Sequence, residues 1–350
     1  MSDWDSVRRL EVTIEDYALE RLERDISSGF TRVTTVIRMR GAGEEGVGED
    51  VVYDNEDHDA AQATGPVFPL LGRWTLEGLS NHLAGLDLFP GKAPQREVGR
   101  LYRRYAYESA ALDLALRQAG TSLHEYVGRE PRPLTYVVSL RLGDPPSLDP
   151  VTSRLEHYPS LRFKLDATAS WTDDLVAGLA RTGAVDSVDF KAHYTGTIVD
   201  NPPDVALYRR VLAALPDAWI EDPHLEDDVQ ALLKPHRDRI TWDAPIHGIA
   251  DIEALPYRPR MVNVKPSRVG SLKEVFATYE YCDERGIGMY GGGQFELGPG
   301  RGQIQLLASL YHPDAPNDVS PAGFHVPHPP PGLPESPMPP QAHERGFGWG

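Results

Sequence analysis

The sequence has a single cysteine, an excess of negative charge and no long apolar segment. Cys282 has no partner for an intrachain disulfide, and one cysteine excludes a multi-cysteine zinc site. The formal net charge is −17 and no run of basic residues occurs, which argues against a nucleic-acid-binding protein. No apolar run approaches the roughly 20 residues of a membrane span, and the N-terminal segment lacks the apolar core of a signal peptide. We therefore expect a cytoplasmic protein that binds neither nucleic acid nor a membrane.

The 350 residues divide into three regions by pattern. In residues 1–133, β-branched segments and the glycine-rich stretch GAGEEGVGED, which looks like a hairpin, precede helical segments, and this predicts an α+β domain. In residues 134–325, apolar strand segments alternate with helical segments, which predicts a parallel sheet. Seven such strands, with an eighth near residues 324–326, favour a closed (β/α)-barrel, and no GxGxxG follows the first strand. Residues 326–350 are proline-rich and are expected to be extended or disordered, or to wrap around a neighbouring subunit.

Charged residues close five consecutive predicted strands. They are Lys164, Asp189, Glu221, Asp243 and Lys265, and the gaps between them are 25, 32, 22 and 22 residues, close to one strand–helix unit each. The carboxyl ends of parallel barrel strands converge on one mouth, so these side chains should form a ring. Any one of the carboxylates alone would more often be an exposed turn residue or a helix cap. Five in register are much harder to explain in that way.

The composition of this ring predicts a particular chemistry. Three carboxylates from separate strands form an all-oxygen site that suits Mg²⁺, or Mn²⁺ in its place. A lysine that is desolvated and close to a divalent cation has a lowered pKa and can act as a base. Lys164 and Lys265 flank the carboxylates and leave room for a substrate between them. Such a site would hold a substrate carboxylate and stabilise the enediolate formed when the α-proton leaves.

These motifs resemble those of the enolase superfamily, in its mandelate racemase and muconate-lactonizing-enzyme group, and most closely the muconate-lactonizing and dipeptide-epimerase side. The resemblance extends over roughly residues 10–325. RFK, which ends in Lys164, is similar to the family's (Lys/Arg)-x-Lys motif, and VKPSRVGS is similar to its sixth-strand lysine motif. GAGEEGVGED resembles the hairpin of the family's capping domain.

The resemblance implies a modified, β7α-type barrel beneath an N-terminal α+β capping domain. It also implies Mg²⁺ on Asp189, Glu221 and Asp243, with Lys164 and Lys265 as the catalytic bases. The partner would be a small-molecule carboxylate substrate, and a homo-oligomer is expected.

Several positions depart from the family pattern. Lys191 stands two residues after Asp189, where the family usually has asparagine, and it either points inward as a third cation or lies at the rim, paired with an acid. WDAPI lacks the acid that normally follows the third ligand, and the insert TGTIVDNPPD is longer than typical. In another register, Lys164 would be the first position of its motif and Asp166 would hold the base position.

Five residues are further candidates for substrate binding or for support of the site: Arg162, Lys191, Tyr53, Arg268 and Glu296. Tyr53 lies in the predicted capping domain, whose loops close the site in the family. Arg268 would bind a substrate anion or form a salt bridge to a neighbouring strand. Glu296 stands where the family often keeps an acid. GPGRGQ, at the start of a predicted helix, would receive an anionic substrate group or form a plain turn.

Lysines on both faces of a substrate favour 1,1-proton transfer, that is, racemisation or epimerisation. The alternatives are a dehydratase, a syn-elimination or a cycloisomerisation. A dehydratase of this superfamily often carries a histidine in place of the sixth-strand lysine, so Lys265 weighs against acid-sugar dehydration. A non-catalytic metal-binding barrel is the remote alternative.

Overall fold

The computed structural model describes residues 2–26, 31–194 and 201–350. The greater part of the insert TGTIVDNPPD, at 195–200, lies outside the described residues. Buried apolar side chains form one cluster that extends through the N-terminal region and the barrel. Within the described ranges, no helix is both long enough and apolar enough to cross a membrane.

The N-terminal region combines antiparallel sheets with helices, as the sequence predicts. Its strands are β1 (Glu11–Ile14), β2 (Asp16–Asp25), β3 (Thr31–Gly41), β4 (Glu44–Asp50) and β5 (Gly72–Thr75). Its helices are α1 (Asp3–Val7), α2 (Asn55–Thr64), α3 (Leu76–Ala84), α4 (Gly99–Ala119) and α5 (Leu123–Val127). β2, β3 and β4 form a meander, and β1 pairs with β5.

The predicted glycine-rich hairpin is the β3–β4 turn, where Ala42 and Gly43 both have positive φ. Helix α4 packs directly on β4 because two strand positions carry no side chain. A Cβ atom on Gly46 would lie 2.2 Å from the backbone nitrogen of Leu114, and one on Gly48 would lie 2.1 Å from the carbonyl oxygen of Ala106. These glycines therefore set the distance between the sheet and the helix.

The second region is a parallel sheet whose strands follow one another in chain order. They are β6 (Val138–Leu140), β7 (Phe163–Asp166), β8 (Val185–Asp189), β9 (Trp219–Glu221), β10 (Ile240–Trp242), β11 (Met261–Val264) and β12 (Gly288–Gly291). The helices are α6 (Asp149–His157), α7 (Asp173–Thr182), α8 (Val205–Ala214), α9 (Asp227–Leu233), α10 (Ile249–Ala254), α11 (Pro266–Val269), α12 (Leu272–Arg285) and α13 (Gly300–Tyr311). The sheet is curled with helices around it, which confirms the predicted barrel class.

Asn317 and Asp318 join the two edges of this sheet. Val137 N–H donates to the carbonyl oxygen of Asn317, and Asp318 N–H donates to that of Gly291, both at 2.8 Å. The side chain of Asn317 adds a bond on each side, since its Oδ1 accepts from Gly291 N–H at 2.6 Å and its Nδ2 donates to the carbonyl of Thr135 at 2.9 Å. The eighth position of the barrel is therefore at residues 317–318.

The expectation of an eighth strand near residues 324–326 is wrong. Ala322–His325 forms a 3₁₀ helix. Prolines at 321 and 327 flank the segment and disfavour strand pairing. Phe324 packs its ring against Tyr136 and Tyr158, at centroid distances of 6.0 and 5.0 Å. The apolar pattern that suggested a strand thus reflects packing of this ring.

The proline-rich tail, residues 326–350, is extended but ordered, and it packs on its own chain. Met338 and Leu134 exchange two backbone hydrogen bonds of 2.8 Å. Phe347 is buried, and its N–H donates to Oδ1 of Asp113 on α4 at 2.7 Å. Disorder, one of the two states expected from the sequence, is therefore not what the tail adopts.

Candidate active site

Three carboxylates converge at the carboxyl ends of the barrel strands. Asp189 ends β8, Glu221 ends β9, and Asp243 follows β10. All three are buried, and one oxygen from each lies within 4.8 Å of the others. The sequence predicted this convergence from the spacing of the strand ends. The donor set is all oxygen and fits a hard divalent cation.

Lys164, on β7, contacts two members of this triad. Its Nζ donates to the Glu221 carboxylate and lies 3.3 Å from Oδ2 of Asp189. A third acid, Asp318, has Oδ2 at 3.7 Å from the same nitrogen. Burial alone would lower the pKa of Lys164, but these carboxylates raise it well above its ordinary value. The lysine therefore points into the ring, as the RFK register predicts.

Lys265 approaches the triad from the opposite strands. It follows β11, and its Nζ donates to Oδ2 of Asp243 at 2.8 Å. Burial lowers the pKa of Lys265, and repulsion from Arg268 and Lys164 adds to this, whereas Asp243 opposes the shift. Lys164 and Lys265 therefore contact different members of the triad, as expected of lysines that flank the carboxylates.

Arg268 forms the salt bridge that was one of its two predicted alternatives. On α11, it donates through one terminal nitrogen to Oδ1 of Asp243 at 2.7 Å and to the carbonyl oxygen of the same residue at 2.5 Å. Burial alone would raise the pKa of Asp243, but Arg268 and Lys265 hold it well below its ordinary value. Arg268 thus orients the third carboxylate of the triad.

Lys191 points toward the ring and also pairs with an acid, so it combines the two alternatives expected from the sequence. Its Nζ lies 2.5 Å from Oδ2 of Asp189 and 3.2 Å from Oδ1 of Asp166. Its backbone has a φ of 56°, in the left-handed region. Its N–H donates to Oδ1 of Asp189 at 3.0 Å, which holds this conformation.

Burial and repulsion between carboxylates raise the pKa values of two acids at this site. Burial raises the pKa of Glu221 well above its ordinary value, and the Asp189 and Asp243 carboxylates add to this against the pull of Lys164. Burial and the same two carboxylates raise the pKa of Asp222 to about 7. Asp222 accepts the backbone N–H groups of Asp243 and Ala244 at 2.8 Å each. A divalent cation would relieve this repulsion.

Arg162 does not reach the ring. It donates to Oδ1 of Asp186 at 2.7 Å and also contacts the carbonyl oxygen of Gly183, at the starts of β7 and β8. Its side chain is 41% exposed. The structure therefore places Arg162 just before β7, at the amino ends of the strands and outside the ring, and its proposed contact with substrate is not supported.

Tyr53 and Glu296 lie where the N-terminal region meets the loop after β12. The Arg32 guanidinium lies over the Tyr53 ring, 4.6 Å from its centroid, and donates to the carbonyls of Val52 and Gln294 at 2.5 and 2.8 Å. Burial raises the pKa of Tyr53. Glu296 accepts the N–H of Gln294 at 2.6 Å. Arg32 therefore bonds the N-terminal region to this loop beside Tyr53, whereas Glu296 bonds within the loop itself.

The GPGRGQ segment already has an anion of the chain at its N–H groups. The Glu49 carboxylate, from β4, accepts from Leu297 N–H at 2.7 Å, from Gly298 N–H at 3.0 Å and from Gly300 N–H at 2.9 Å. The helix N-terminus does attract an anion, as its chemistry predicts. That anion belongs to the protein, so these N–H groups are not presented to a substrate anion, which was one of the two predicted alternatives.

Sequence reasoning missed two acids of the site. Asp222 directly follows Glu221, and two consecutive acids at a strand end could have indicated a supporting role. Asp318 follows a long helix and a proline-containing loop, and no strand pattern marks its position. Only the folded structure, in which residues 317–318 join the two edges of the sheet, shows that Asp318 lies close to Lys164.

The barrel, with a lysine on β7, three acids at the ends of β8, β9 and β10 and a second lysine after β11, carries the residue pattern for which the sequence resembles the enolase superfamily. Members of that superfamily are the sequence and structural neighbours of the chain. A dipeptide epimerase from Methylococcus capsulatus, solved with a Mg ion, superposes with a TM-score of 0.62 over 90% of this chain and 88% of that one, at 19% identity. At that identity the match shows the fold alone.

Curated relatives carry two different activities. The chain is 29% identical to an N-succinylamino acid racemase from Amycolatopsis over 296 residues, 79% of this chain and 75% of the relative. It is 27% identical to an o-succinylbenzoate synthase from Bacillus subtilis over 246 residues, 66% of this chain. The chain spans only 63% of the length of that synthase.

The chain belongs to the DUF8230 family. The model of the family's N-terminal domain matches residues 5–126, and that of its C-terminal domain matches residues 130–326. Both are described as domains of unknown function.

Proposed function

We propose that the protein removes the proton α to a substrate carboxylate in a divalent-cation-dependent reaction, and that the overall outcome is racemisation or epimerisation. The observation that carries this proposal is the placement of two buried lysines against different members of one carboxylate triad. Lys164 contacts Asp189 and Glu221, whereas Lys265 contacts Asp243. A proton can then leave one face of a substrate and return to the other.

Asp189, Glu221 and Asp243 would hold the cation, with Mg²⁺ as the first choice and Mn²⁺ as an alternative. When bound, the cation would attract the substrate carboxylate and stabilise the negative charge that develops as the α-proton leaves. Arg268 donates to the carboxylate of Asp243, and Asp222 accepts the backbone N–H of Asp243. These two bonds hold the third carboxylate in its place in the ring.

The two lysines exchange roles with the direction of the reaction. In one direction, Nζ of Lys265 accepts the α-proton and Nζ of Lys164 returns a proton to the opposite face. In the other direction, Lys164 accepts and Lys265 donates. One lysine must therefore be neutral and the other charged at the start of each turnover. Both lie at most 6% exposed, which shields the transferred protons from bulk water.

N-succinylamino acids are the first substrates to test, because two N-succinylamino acid racemases match the chain over 79% and 86% of its length. A second candidate is an elimination or cycloisomerisation that begins with the same proton abstraction. It is favoured by the match to o-succinylbenzoate synthases, and it would use one lysine as the base.

The test is hydrogen–deuterium exchange in D₂O with Mg²⁺, followed by mass spectrometry and chiral chromatography. Separate D and L forms of N-succinylamino acids and other N-acyl amino acids and of dipeptides are supplied, together with acid sugars and cyclohexadiene acids. We expect both enantiomers to exchange and interconvert. Lys164→Ala should allow exchange of one enantiomer only, Lys265→Ala of the other only, and neither should interconvert them.

Lys273→Ala is the control, because Lys273 is exposed on α12. Loss of water or formation of a ring would favour the second candidate. Exchange that is indifferent to both lysines would reject their roles as bases. Absence of any reaction across N-acyl amino acids, dipeptides, acid sugars and cyclohexadiene acids would favour a non-catalytic barrel.

A further inference from the structure

The Lys191 ammonium group stands between two carboxylates that have different surroundings. Oδ2 of Asp189 lies 2.5 Å from its Nζ and belongs to the triad. Oδ1 of Asp166 lies 3.2 Å from the same nitrogen on the other side. Asp166 is on β7, in register with Asp189 on β8, so the two carboxylates face each other across neighbouring strands.

A lysine at this place conflicts with a divalent cation on the triad. A Mg²⁺ ion bound to Asp189 would lie about 2 Å from the ligating oxygen. An ammonium group in contact with the same carboxylate would lie a few ångströms from that ion, and two cations at such a distance repel strongly in a buried site. The lysine and the cation therefore compete for Asp189.

Asp166 provides a second carboxylate with which the Lys191 ammonium group can pair. Its Oδ1 is buried and accepts no hydrogen bond from the residues that the structure describes, although the Lys191 ammonium group is near. Its other oxygen is held by Arg141, whose Nε lies 3.2 Å away. The carboxylate is thus fixed with one oxygen turned toward Lys191 and available to accept a bond.

The backbone of Lys191 need not move for the ammonium group to change partners. The N–H of Lys191 donates to Asp189, and the N–H of Ala192 donates to the carbonyl oxygen of Asp222 at 3.1 Å. Both bonds fix the start of the side chain. Rotations in the flexible four-carbon stem suffice to move Nζ from one oxygen to the other.

We propose that Lys191 and Asp166 set the affinity of the triad for its divalent cation. Without the cation, the Lys191 ammonium group neutralises Asp189. When the cation binds, the ammonium group transfers to Oδ1 of Asp166. Lys191 therefore weakens cation binding, and Asp166 limits that weakening by receiving the displaced charge. The inference rests on the proposed function, because it takes the triad to be a metal site.

The test is the dissociation constant of Mg²⁺, measured by isothermal titration calorimetry on the full chain, with Mn²⁺ binding by electron paramagnetic resonance as a second readout. Lys191→Met keeps the length of the stem and removes the charge, and we expect it to bind Mg²⁺ about tenfold more tightly, near the middle of the usual range of coupling between sites. Lys191→Asn should do the same, and asparagine tolerates the left-handed backbone at this position.

The Asp166→Asn substitution tests whether Asp166 acts by receiving the Lys191 ammonium group or only by adding a negative charge near the triad. We expect it to weaken Mg²⁺ binding about tenfold in the unaltered protein and to leave it unchanged in the Lys191→Met background, since Asp166 would act only through the lysine. Asp318→Asn is the matched control. It also removes one carboxylate near the triad, but it contacts Lys164, so its effect should be the same in both backgrounds.

Equal Mg²⁺ affinity in the unaltered protein and in both Lys191 variants would overturn the inference and leave the metal site intact. An equal loss of affinity from Asp166→Asn in both backgrounds would overturn the transfer to Asp166. Absence of Mg²⁺ and Mn²⁺ binding in the unaltered protein and in every variant would overturn the metal site of the proposed function, and the inference with it.

Discussion

Gly292 lies directly against the stem of Lys265. A Cβ atom at Gly292 would come within 2.6 Å of Cε of Lys265, closer than such atoms approach in folded proteins. The same Cβ atom would be 3.0 Å from Nδ2 of Asn263, a buried amide on β11, the strand that Lys265 follows. Gly292 therefore provides the space through which Lys265 reaches Asp243.

Replacement of Gly292 by alanine should remove activity more than stability. The extra methyl group must displace the Lys265 stem, so we expect at least a hundredfold loss of α-proton exchange by the Lys265-dependent route, about the contribution of a positioned acid–base group. Overpacking should cost about 1–3 kcal/mol of unfolding free energy. Exchange kinetics and urea denaturation measure the two effects. Gly248→Ala is the control, because no atom in the described part of the chain lies within 4 Å of its added Cβ. Unchanged kinetics in Gly292→Ala would contradict the steric argument.

The bond between Glu49 and the start of α13 should hold the N-terminal region on the barrel. In Glu49→Gln, one side-chain oxygen is replaced by an NH₂ group that faces backbone N–H donors. We expect the free energy of unfolding to fall by about 1–3 kcal/mol, the usual cost of leaving buried polar groups unpaired. Glu44→Gln makes the same change on the same strand at a more exposed position and should cost at most about 0.5 kcal/mol. Equal costs for the two variants, measured by chemical denaturation, would show that the Glu49 contacts contribute little.

The barrel and its ring were predictable because both depend on local pattern. Each strand is a short apolar segment, and each charged residue follows at its carboxyl end, so Asp189, Glu221 and Asp243 could be aligned by counting strand–helix units. Lys265 was found in the same way, and Lys164 was also assigned to a strand end, although β7 continues past it to Asp166. The contacts that orient these groups were not predictable. Arg268 and Asp222 bond to side-chain and backbone atoms of Asp243, and these contacts form only in the folded chain.

The errors arose where distant parts of the chain meet. GPGRGQ offered an anion site, but Glu49 lies some 250 residues earlier in the chain, and no local pattern connects them. Arg162 lies only two residues before Lys164, yet it bonds at the starts of β7 and β8 and does not reach the ring. Asn317 closes the barrel through its amide group, which hydrophobic periodicity does not reveal.

His312 should make stability depend on pH near the barrel closure. Its Nδ1–H donates to Oδ1 of Asn317 at 2.7 Å, and burial lowers its pKa to about 4, with the Asn317 bond opposing the shift. The unfolded chain has a pKa near 6.5. As the pH falls from about 6.5 to about 4, His312 takes up a proton in the unfolded state but stays neutral in the folded state. Stability from the neutral imidazole is thus complete above pH 6.5 and is lost as the pH falls through 4, by about 3 kcal/mol in total.

The comparison with His312→Gln isolates this effect. The substitution lowers the free energy of unfolding by an amount that does not depend on pH. It should also remove the His312 contribution to the slope of unfolding free energy against pH between 6.5 and 4. His325, whose pKa burial lowers to about 3, titrates in both proteins and cancels in the difference. Urea unfolding across this range supplies the measurement. Parallel slopes for the two proteins would mean that His312 takes up a proton as readily in the folded state as in the unfolded state.

The C-terminal tail should contribute to the stability of the whole chain through Phe347. Its ring is buried in the common core, and its N–H shares the Asp113 carboxylate with Val47 N–H on β4 and with Arg117 on α4. Phe347→Ala should lower the unfolding free energy by about 3–5 kcal/mol, as large core truncations do. Val326→Ala is the control in the same tail, because Val326 is 39% exposed, and it should cost at most about 0.5 kcal/mol. If the two substitutions cost the same in urea denaturation, the tail is bound too weakly to support the fold, and the packing of Phe347 on α4 and β4 does not contribute to folding.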